Sequence, residues 1–249
     1  MSHASPDTGA EVLFLAGPPF GPALFDDVLR RFGRGTAASV LAHGPTWQQA
    51  GERLATLSPP RVLFAHGLAV PAAIEAGRRG GPSAIVLSNG PIGRIDPFSA
   101  AFSKIAHTPA SALLRSVVLR PGLWSAWLRS SVGLRRAVAN PYVMDRDTVA
   151  ALCRAEVEDA GRRDQVIAWL RGLNTLPSIR DVRCPTLLLW GDGDALYPAS
   201  EAALGEAQIP GANYVAIPGA QFVHPVERPW EVADRLDHWL QDHAVGGRA

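Results

Sequence analysis

Short runs of apolar residues alternate along the chain with stretches in which apolar residues recur at helical spacing. Each run is followed by glycine, proline or a polar turn. This alternation is typical of buried strands joined by helices, so it predicts an α/β fold with a mostly parallel central sheet covered on both faces. The predicted strands are VLFLA (12–16), ASVLA (38–42), RVLFA (61–65), AIVLS (84–88), PTLLLW (185–190) and NYVAI (213–217).

Glycine or polar residues follow most of these strands. The carboxyl ends of parallel strands meet at one edge of a sheet, and ligands of open α/β sheets bind in a crevice at that edge. We therefore expect Gly17, His43, Gly67, Ser88 and Asp194 to converge there, together with the loop after the last strand.

A segment of a different kind separates the fourth and fifth predicted strands. Its apolar residues recur at i, i+3 and i+4, as around Leu114 and Val117, and this spacing predicts several amphipathic helices. We expect these helices to form a cap, residues 96–177, on an α/β core made of residues 1–95 and 178–249. The three tryptophans of the segment belong either to the interior of the cap or to the wall of a ligand pocket.

Composition narrows the classes of partner. The chain has 249 residues, 47% of them hydrophobic, which is enough for one large core. Its formal net charge is +1 and its arginines are scattered, so we expect no nucleic-acid partner. Two cysteines, Cys153 and Cys184, cannot form a disulfide framework in a chain of this length. The first apolar run is too short for a signal peptide or a membrane span, so we expect a soluble cytoplasmic protein without membrane contact.

The sequence contains none of the common motifs for cofactors or metals. No G-x-G-x-x-G follows a strand, no phosphate-binding P-loop is present, and GDGD is too short for a calcium loop. His238 and His243 are five residues apart, a spacing that does not place both on one helical face. We therefore expect no cofactor and no metal.

Four stretches together resemble the α/β-hydrolase superfamily with a helical cap. They are AGPPFGP after the first strand, AHGLA after the third, CPTLLLWGDGDALYP, and IPGAQFVHPVERPW near the end. The resemblance spans nearly the whole chain in the family's order. It implies the α/β-hydrolase fold and a catalytic serine, acid and histidine in that order, with an oxyanion hole formed by two backbone N–H groups.

Two of the implied catalytic positions hold residues that cannot do the chemistry. Gly67 stands where the family places the nucleophile of G-x-S-x-G, and glycine has no hydroxyl or thiol. An ungapped alignment puts Phe222 at the position of the histidine, and phenylalanine cannot accept a proton. His224 lies two residues further on and replaces that base only if the loop backbone is displaced; otherwise it is a hydrogen-bonded loop residue.

Of the other two implied positions, the acid keeps a suitable residue and the oxyanion loop does not. Asp194 matches the acid, and its alternative use is to bond the backbone of its own turn. In the oxyanion loop Gly17 is followed by Pro18 and Pro19, which have no N–H, so one donor is missing. The N–H of Leu68 is the remaining donor of the pair.

Two functional hypotheses follow. The first is a pseudo-hydrolase that binds a small apolar or carbonyl-containing molecule in a capped pocket without hydrolysing it. The second is a non-hydrolytic enzyme, of the isomerase, lyase or cyclase type, in which His66, His224 and Asp194 transfer protons. The sequence leaves a homodimer or a protein partner open. Under either hypothesis we expect ligand contacts from Pro18, Phe20, Gly67, Leu68, Ser88, Phe222 and His224.

Overall fold

The computed structural model describes residues 11–59, 61–131, 133, 135 and 137–243. Its sheet has six strands in the order β2-β1-β3-β4-β5-β6, and every neighbouring pair is parallel. The predicted α/β class with a mostly parallel sheet is confirmed. The strands are β1 Val12–Ala16, β2 Thr36–Ser39, β3 Val62–His66, β4 Ala84–Ser88, β5 Thr186–Gly191 and β6 Asn213–Ile217.

None of the described helices is both long and apolar enough to cross a membrane. The helices that connect β1 to β4 are α1 Asp26–Phe32, α2 Trp47–Ala55 and α3 Val70–Arg78. Between β4 and β5 they are α4 Pro97–Ala106, α5 Ser111–Leu113 continued by a π-helix over Leu114–Val118, α6 Pro121–Leu128, α7 Arg146–Val157 and α8 Ala160–Gly172. After β5 they are α9 Ala199–Gln208, α10 His224–Glu227 and α11 Pro229–Asp242.

The strand prediction is right for five of the six runs to within one residue and wrong for the second. The run predicted at 38–42 is a strand at Thr36–Ser39, followed by a 3₁₀ turn at Val40–Ala42. The side chain of Ser39 accepts a hydrogen bond from the N–H of Leu41, which begins the turn and ends the strand. Apolar composition alone does not distinguish these two conformations.

The central strands form the middle of the hydrophobic core. Every residue of β1, β3, β4 and β5 is buried, as expected for parallel strands covered by helices on both faces. Phe14 of β1 contacts the rings of Phe25, Phe32 and Phe64, which lie in or beside α1 and β3. This packing holds the strand ends, and therefore the loops that follow them, in fixed positions.

The helices α4–α8, called here the helical insertion, are tied to the rest of the fold by polar contacts. Gly21 N–H donates to the carbonyl oxygen of Leu152 in α7 (2.6 Å), and Ser39 Oγ donates to Glu156 Oε2 (2.9 Å). Burial raises the pKa of Glu156. Val223 N–H donates to the carbonyl oxygen of Ala137 (3.3 Å). The insertion is therefore fixed against the loops that follow β1 and β6.

The turn after β1 lies against the turn after β3. A Cβ built on Gly17 would overlap the backbone of Leu68 and Ala69, so only glycine allows this approach. The two loops that the sequence placed at one crevice are thus in direct contact.

We expect Gly17→Ala to destabilise the protein by about 3 kcal/mol, because the backbone must separate to admit the methyl group. Gly122→Ala is the matched control, since a Cβ there meets no atom within 4 Å. Chemical denaturation of both variants measures the difference. Equal stability of the two variants would contradict the close approach.

Candidate functional site

The turn between β3 and α3 is a sharp strand-to-helix elbow. His66 is the last residue of β3, and Gly67 begins the helical segment with a φ of +60°. Side chains rarely adopt this left-handed conformation, whereas glycine does so without strain. Pro71 lies in the first turn of α3, where its missing N–H breaks no helical bond. The predicted elbow is therefore present, with glycine at its apex.

The ring of Phe222 lies directly above this apex. A Cβ built on Gly67 would be 3.1 Å from Phe222 Cζ. The ring also lies 4.9 Å from the imidazole of His66, 6.0 Å from the ring of Phe20 and 5.9 Å from that of Tyr197, measured between centroids. A side chain at the elbow apex would therefore be crowded by the phenylalanine ring.

The turn after β1 offers few backbone donors to this region. Pro18 and Pro19 have no N–H, and the N–H of Phe20 donates to the carbonyl oxygen of Gly17 (3.1 Å). The first donor after Gly17 is thus already used within its own turn. Leu68 belongs to the first turn of a helix, where N–H groups have no partner within the helix.

Below Phe222, three fully buried side chains form a hydrogen-bonded chain. His66 Nδ1 is 3.1 Å from Ser88 Oγ, and Ser88 Oγ is 2.9 Å from His224 Nε2. His224 Nδ1 is 3.1 Å from the carbonyl oxygen of Gln221. All three side chains are 0% exposed. Ser88 and His224 are 136 residues apart, so the sequence alone gave no signal that they are partners.

The chemistry of the partners assigns the protons of this chain. The carbonyl oxygen of Gln221 only accepts, so His224 Nδ1 carries a hydrogen. Burial lowers the pKa of His224 to about 4, so its ring is neutral and its Nε2 accepts from the Ser88 hydroxyl. Ser88 has a single hydroxyl hydrogen, so when it donates to His224 its oxygen is free to accept from His66 Nδ1. Among the described residues, His66 Nε2 has no hydrogen-bond partner.

Asp194 belongs to a separate network at the end of β5. Its Oδ2 accepts from Asn89 Nδ2 (2.8 Å) and its Oδ1 from the N–H of Leu196 (2.7 Å). Asn89 also bonds the N–H and the carbonyl oxygen of Gly191, and so joins the ends of β4 and β5. Burial raises the pKa of Asp194 to about 6, although these hydrogen bonds oppose the shift. The hydrogen bonds of the Asp194 carboxylate thus go to its own turn and to Asn89.

A cavity of about 70 Å³ lies between the helical insertion and the loops of the sheet edge. Its walls are almost entirely apolar, with Trp124 and Trp127 stacked at a centroid distance of 5.0 Å. The lining residues are Pro18, Pro19, Leu68, Asp96, Phe98, Ser99, Phe102, Leu114, Leu119, Trp124, Trp127, Leu128, Gly133, Val157, Val166, Leu170, Leu196, Tyr197 and Phe222.

The polar groups of the cavity wall are mostly satisfied by protein. Asp96 Oδ1 accepts from the N–H groups of Phe98 and Ser99, and its Oδ2 accepts from the Tyr197 hydroxyl (2.7 Å). The indole N–H of Trp124 is different, because it is buried and has no partner among the described residues. This N–H is a donor for which the described protein supplies no acceptor.

The expected ligand contacts divide into two groups. Pro18, Leu68 and Phe222 line the cavity. The other expected residues, namely Phe20, Gly67, Ser88 and His224, are not among its lining side chains.

His43 lies after the 3₁₀ turn that follows β2, and it too is outside the cavity wall. Burial, and secondarily Arg53, lowers the pKa of His43. The described residues contain no group of three His, Cys, Asp or Glu side chains placed to hold a metal ion. Cys153 and Cys184 are buried free thiols, and burial raises the pKa of Cys184 to about 11.

The sequence matches no protein-family model, and comparison with curated proteins finds no match. The structure, in contrast, is similar to many solved structures. A thermophilic esterase from Thermogutta terrifontis aligns with a TM-score of 0.73 and 19% identity, over 94% of this chain and 90% of that chain.

An enol-lactonase from Burkholderia xenovorans aligns with a TM-score of 0.68 and 14% identity, over 93% of this chain and 92% of that chain. A haloalkane dehalogenase from Bradyrhizobium elkani aligns with a TM-score of 0.69 and 15% identity, over 94% and 90%. These similarities show that the chain has the α/β-hydrolase fold, as the sequence motifs implied. At these identities they show the fold alone.

We expect Gly67→Ser to destabilise the protein by about 2 kcal/mol or more, because strain at positive φ adds to crowding against Phe222. In a Phe222→Ala background the loss of stability caused by Gly67→Ser should be smaller by about 1 kcal/mol, because the ring that crowds the new side chain is absent. Gly33→Ser is the control, since Gly33 has a φ of +74° and a Cβ there meets nothing within 4 Å. Denaturation of the single and double variants measures the coupling free energy between positions 67 and 222. If the two changes in unfolding free energy simply add, the proposed contact between these positions is contradicted.

We expect acid to weaken the fold through the buried histidines. Because the pKa of His224 falls from 6.5 to about 4, the unfolded chain binds a proton in this range that the folded protein excludes. The stabilisation is complete above pH 6.5 and is lost as the pH falls towards 4, by about 3 kcal/mol. His66 acts in the same direction, whereas Asp194, with its raised pKa, opposes the change.

Denaturation from pH 7 to pH 4 measures this effect. His224→Gln should be less stable at neutral pH but should lose about 3 kcal/mol less than the wild type on acidification. His238→Gln is the control, because His238 is exposed on α11. If the unfolding free energies of the wild type and of His224→Gln change with pH in parallel, the pKa of His224 is not lowered in the folded protein.

Proposed function

We propose that this protein is a non-hydrolytic member of the α/β-hydrolase fold class that binds a small, uncharged, apolar molecule under its helical insertion. The insertion, residues 96–177, serves as the cap, and residues 1–95 and 178–249 serve as the core. The observation that carries the proposal is the packing of Phe222 onto Gly67, which fills the place of an attacking side chain with an inert ring.

The surrounding groups support the absence of serine hydrolysis. Gly67 and Phe222 stand where the family resemblance implies a nucleophile and a base. The turn after β1 presents two prolines and then an N–H that is already bonded within the turn, so one donor for an oxyanion is lacking. Loss of one such donor alone costs on the order of a hundredfold or more in rate.

The cavity wall indicates the class of ligand. It contains no Lys or Arg side chain, and its carboxylate, Asp96, would repel an anion. Its volume of about 70 Å³ is about half the roughly 150 Å³ of an apolar cavity that takes up benzene, so only a molecule smaller than benzene fits without rearrangement. The unpaired indole N–H of Trp124 favours a ligand with one acceptor oxygen, such as a ketone or aldehyde.

The second hypothesis, a proton-transferring enzyme of the isomerase, lyase or cyclase type, finds support in one contact. Ser88 Oγ lies 2.9 Å from His224 Nε2, and a carbonyl orients the other ring nitrogen, as in a nucleophile and base pair. This pair is fully buried and Phe222 lies between it and the cavity, so catalysis would require Phe222 to swing aside. The hydrogen bonds of Asp194 include neither histidine. We therefore keep ligand binding as the principal proposal.

Tryptophan fluorescence tests the binding proposal with three compounds of similar size. Acetone should quench fluorescence and bind more tightly than isobutane, while acetate should not bind. Trp124→Phe should remove the preference for the ketone, a loss of about threefold to tenfold in affinity for one hydrogen bond. Trp127→Phe, which also lines the cavity, is the control and should keep that preference.

Activity measurements separate the two hypotheses. A fluorophosphonate probe should label no serine, and acetone should be recovered unchanged. Labelling of a serine, or turnover of a carbonyl compound that disappears in His224→Gln, would overturn the binding proposal in favour of an enzyme. Failure of all three compounds to bind would contradict the proposed ligand class.

A further inference from the structure

The outer side of the helical insertion exposes large apolar side chains. Among the described residues, nearly all large hydrophobic side chains that are exposed belong to this part of the chain, and Trp230 is the exception. Leu113 is 60% exposed and Leu123 is 54% exposed. The set within the insertion is Ile105, Leu113, Val117, Leu123 and Tyr142. Leu113 and Val117 are four residues apart along one helical stretch and therefore share a face.

The first part of the insertion, residues 97–144, has an unusual charge in its sequence. Between Asp96 and Asp145 the sequence contains six Lys or Arg residues and no Asp or Glu, although the whole chain has a net charge of only +1. The remainder of the chain is therefore net negative. Lys104 and Arg120, which flank Leu113 and Val117 in sequence, are themselves exposed.

We propose that this surface, formed by the exposed side chains of Lys104, Leu113, Val117, Arg120 and Leu123, docks on an anionic lipid bilayer. The leucine and valine side chains enter the interfacial region of the bilayer, and Lys104 and Arg120 contact the anionic headgroups. Exposed apolar side chains combined with basic residues are the two features that bind peripheral helices to anionic membranes. The sequence analysis predicts no membrane contact because no spanning segment is present; this proposal departs from that prediction and rests on side-chain exposure.

Two features favour lipid over other occupants. A nucleic acid would use the positive charge but would leave the exposed leucines in water. A second copy of the same surface would bring like charges together. An anionic bilayer satisfies both the charge and the apolar side chains.

The surface is continuous with the wall of the cavity described above. Leu114, Leu119 and Trp124 face the cavity, and their neighbours Leu113, Arg120 and Leu123 are exposed on the outside. Docking therefore places the cavity wall beside a reservoir of apolar molecules. The docking proposal does not depend on whether the cavity binds a ligand.

Flotation with phosphatidylcholine vesicles, with and without phosphatidylglycerol, tests the proposal on the full chain. The protein should float with the anionic vesicles and remain unbound with the neutral ones. Raising the salt from about 0.1 M to 1 M shortens the Debye length from about 10 Å to 3 Å and should weaken binding.

Two pairs of substitutions separate the contributions of apolar surface and of positive charge to vesicle binding. Leu113→Ser with Leu123→Ser removes exposed apolar surface, and Lys104→Glu with Arg120→Glu reverses charge; each pair should reduce vesicle binding about tenfold or more. The control is Trp230→Ser with Arg30→Glu, which changes one apolar and one basic residue exposed outside the insertion and should bind as the wild type does. Circular dichroism confirms that each variant is folded.

Several results would overturn the proposal. Equal binding to neutral and anionic vesicles, or no binding to either, excludes an anionic bilayer. A dimer in light scattering that dissociates when Leu113 and Leu123 are replaced identifies the surface as a self-interface. Binding to duplex DNA with no vesicle binding identifies a nucleic-acid surface.

Discussion

The packing of the Phe222 ring onto the Gly67 backbone divides the functional region into two parts. Above the ring lies an apolar cavity, and below it lies the buried chain of His66, Ser88 and His224. Glycine at a φ of +60° is what allows the ring to approach, since any side chain there would be both strained and crowded. Substrate-sized molecules in the cavity therefore meet a hydrocarbon wall rather than the hydroxyl and imidazoles behind it.

The electrostatics of the interior agree with this division. Burial lowers the pKa of His66 and His224 and raises that of Asp194, so each shift favours the neutral form of the side chain. A serine hydrolase needs the opposite arrangement, a base that accepts a proton and a carboxylate that stabilises the resulting cation. Here His224 resists protonation, and Asp194 bonds Asn89 instead of a histidine. The Asp194 carboxylate thus orients Asn89, which joins the ends of β4 and β5.

The helical insertion presents two different surfaces. Its inner side, with Trp124 and Trp127, supplies aromatic walls to the cavity, while its outer side exposes leucine and valine side chains in a stretch without acidic residues. The proposed ligand and the proposed membrane contact both follow from this arrangement, although they rest on different side chains.

The sequence by itself determined the fold class, five of the six strands and the elbow, because buried parallel strands are continuous apolar runs and sharp turns require particular residues such as Gly67. It also identified Gly67 and Phe222 as chemically inert, since that follows from side-chain composition. Only the tertiary structure decided that Phe222 covers Gly67, that Ser88 pairs with His224, and which leucines of the insertion are exposed. These contacts join residues far apart in the chain, and local spacing carries no information about which distant side chain a folded backbone brings within hydrogen-bonding distance.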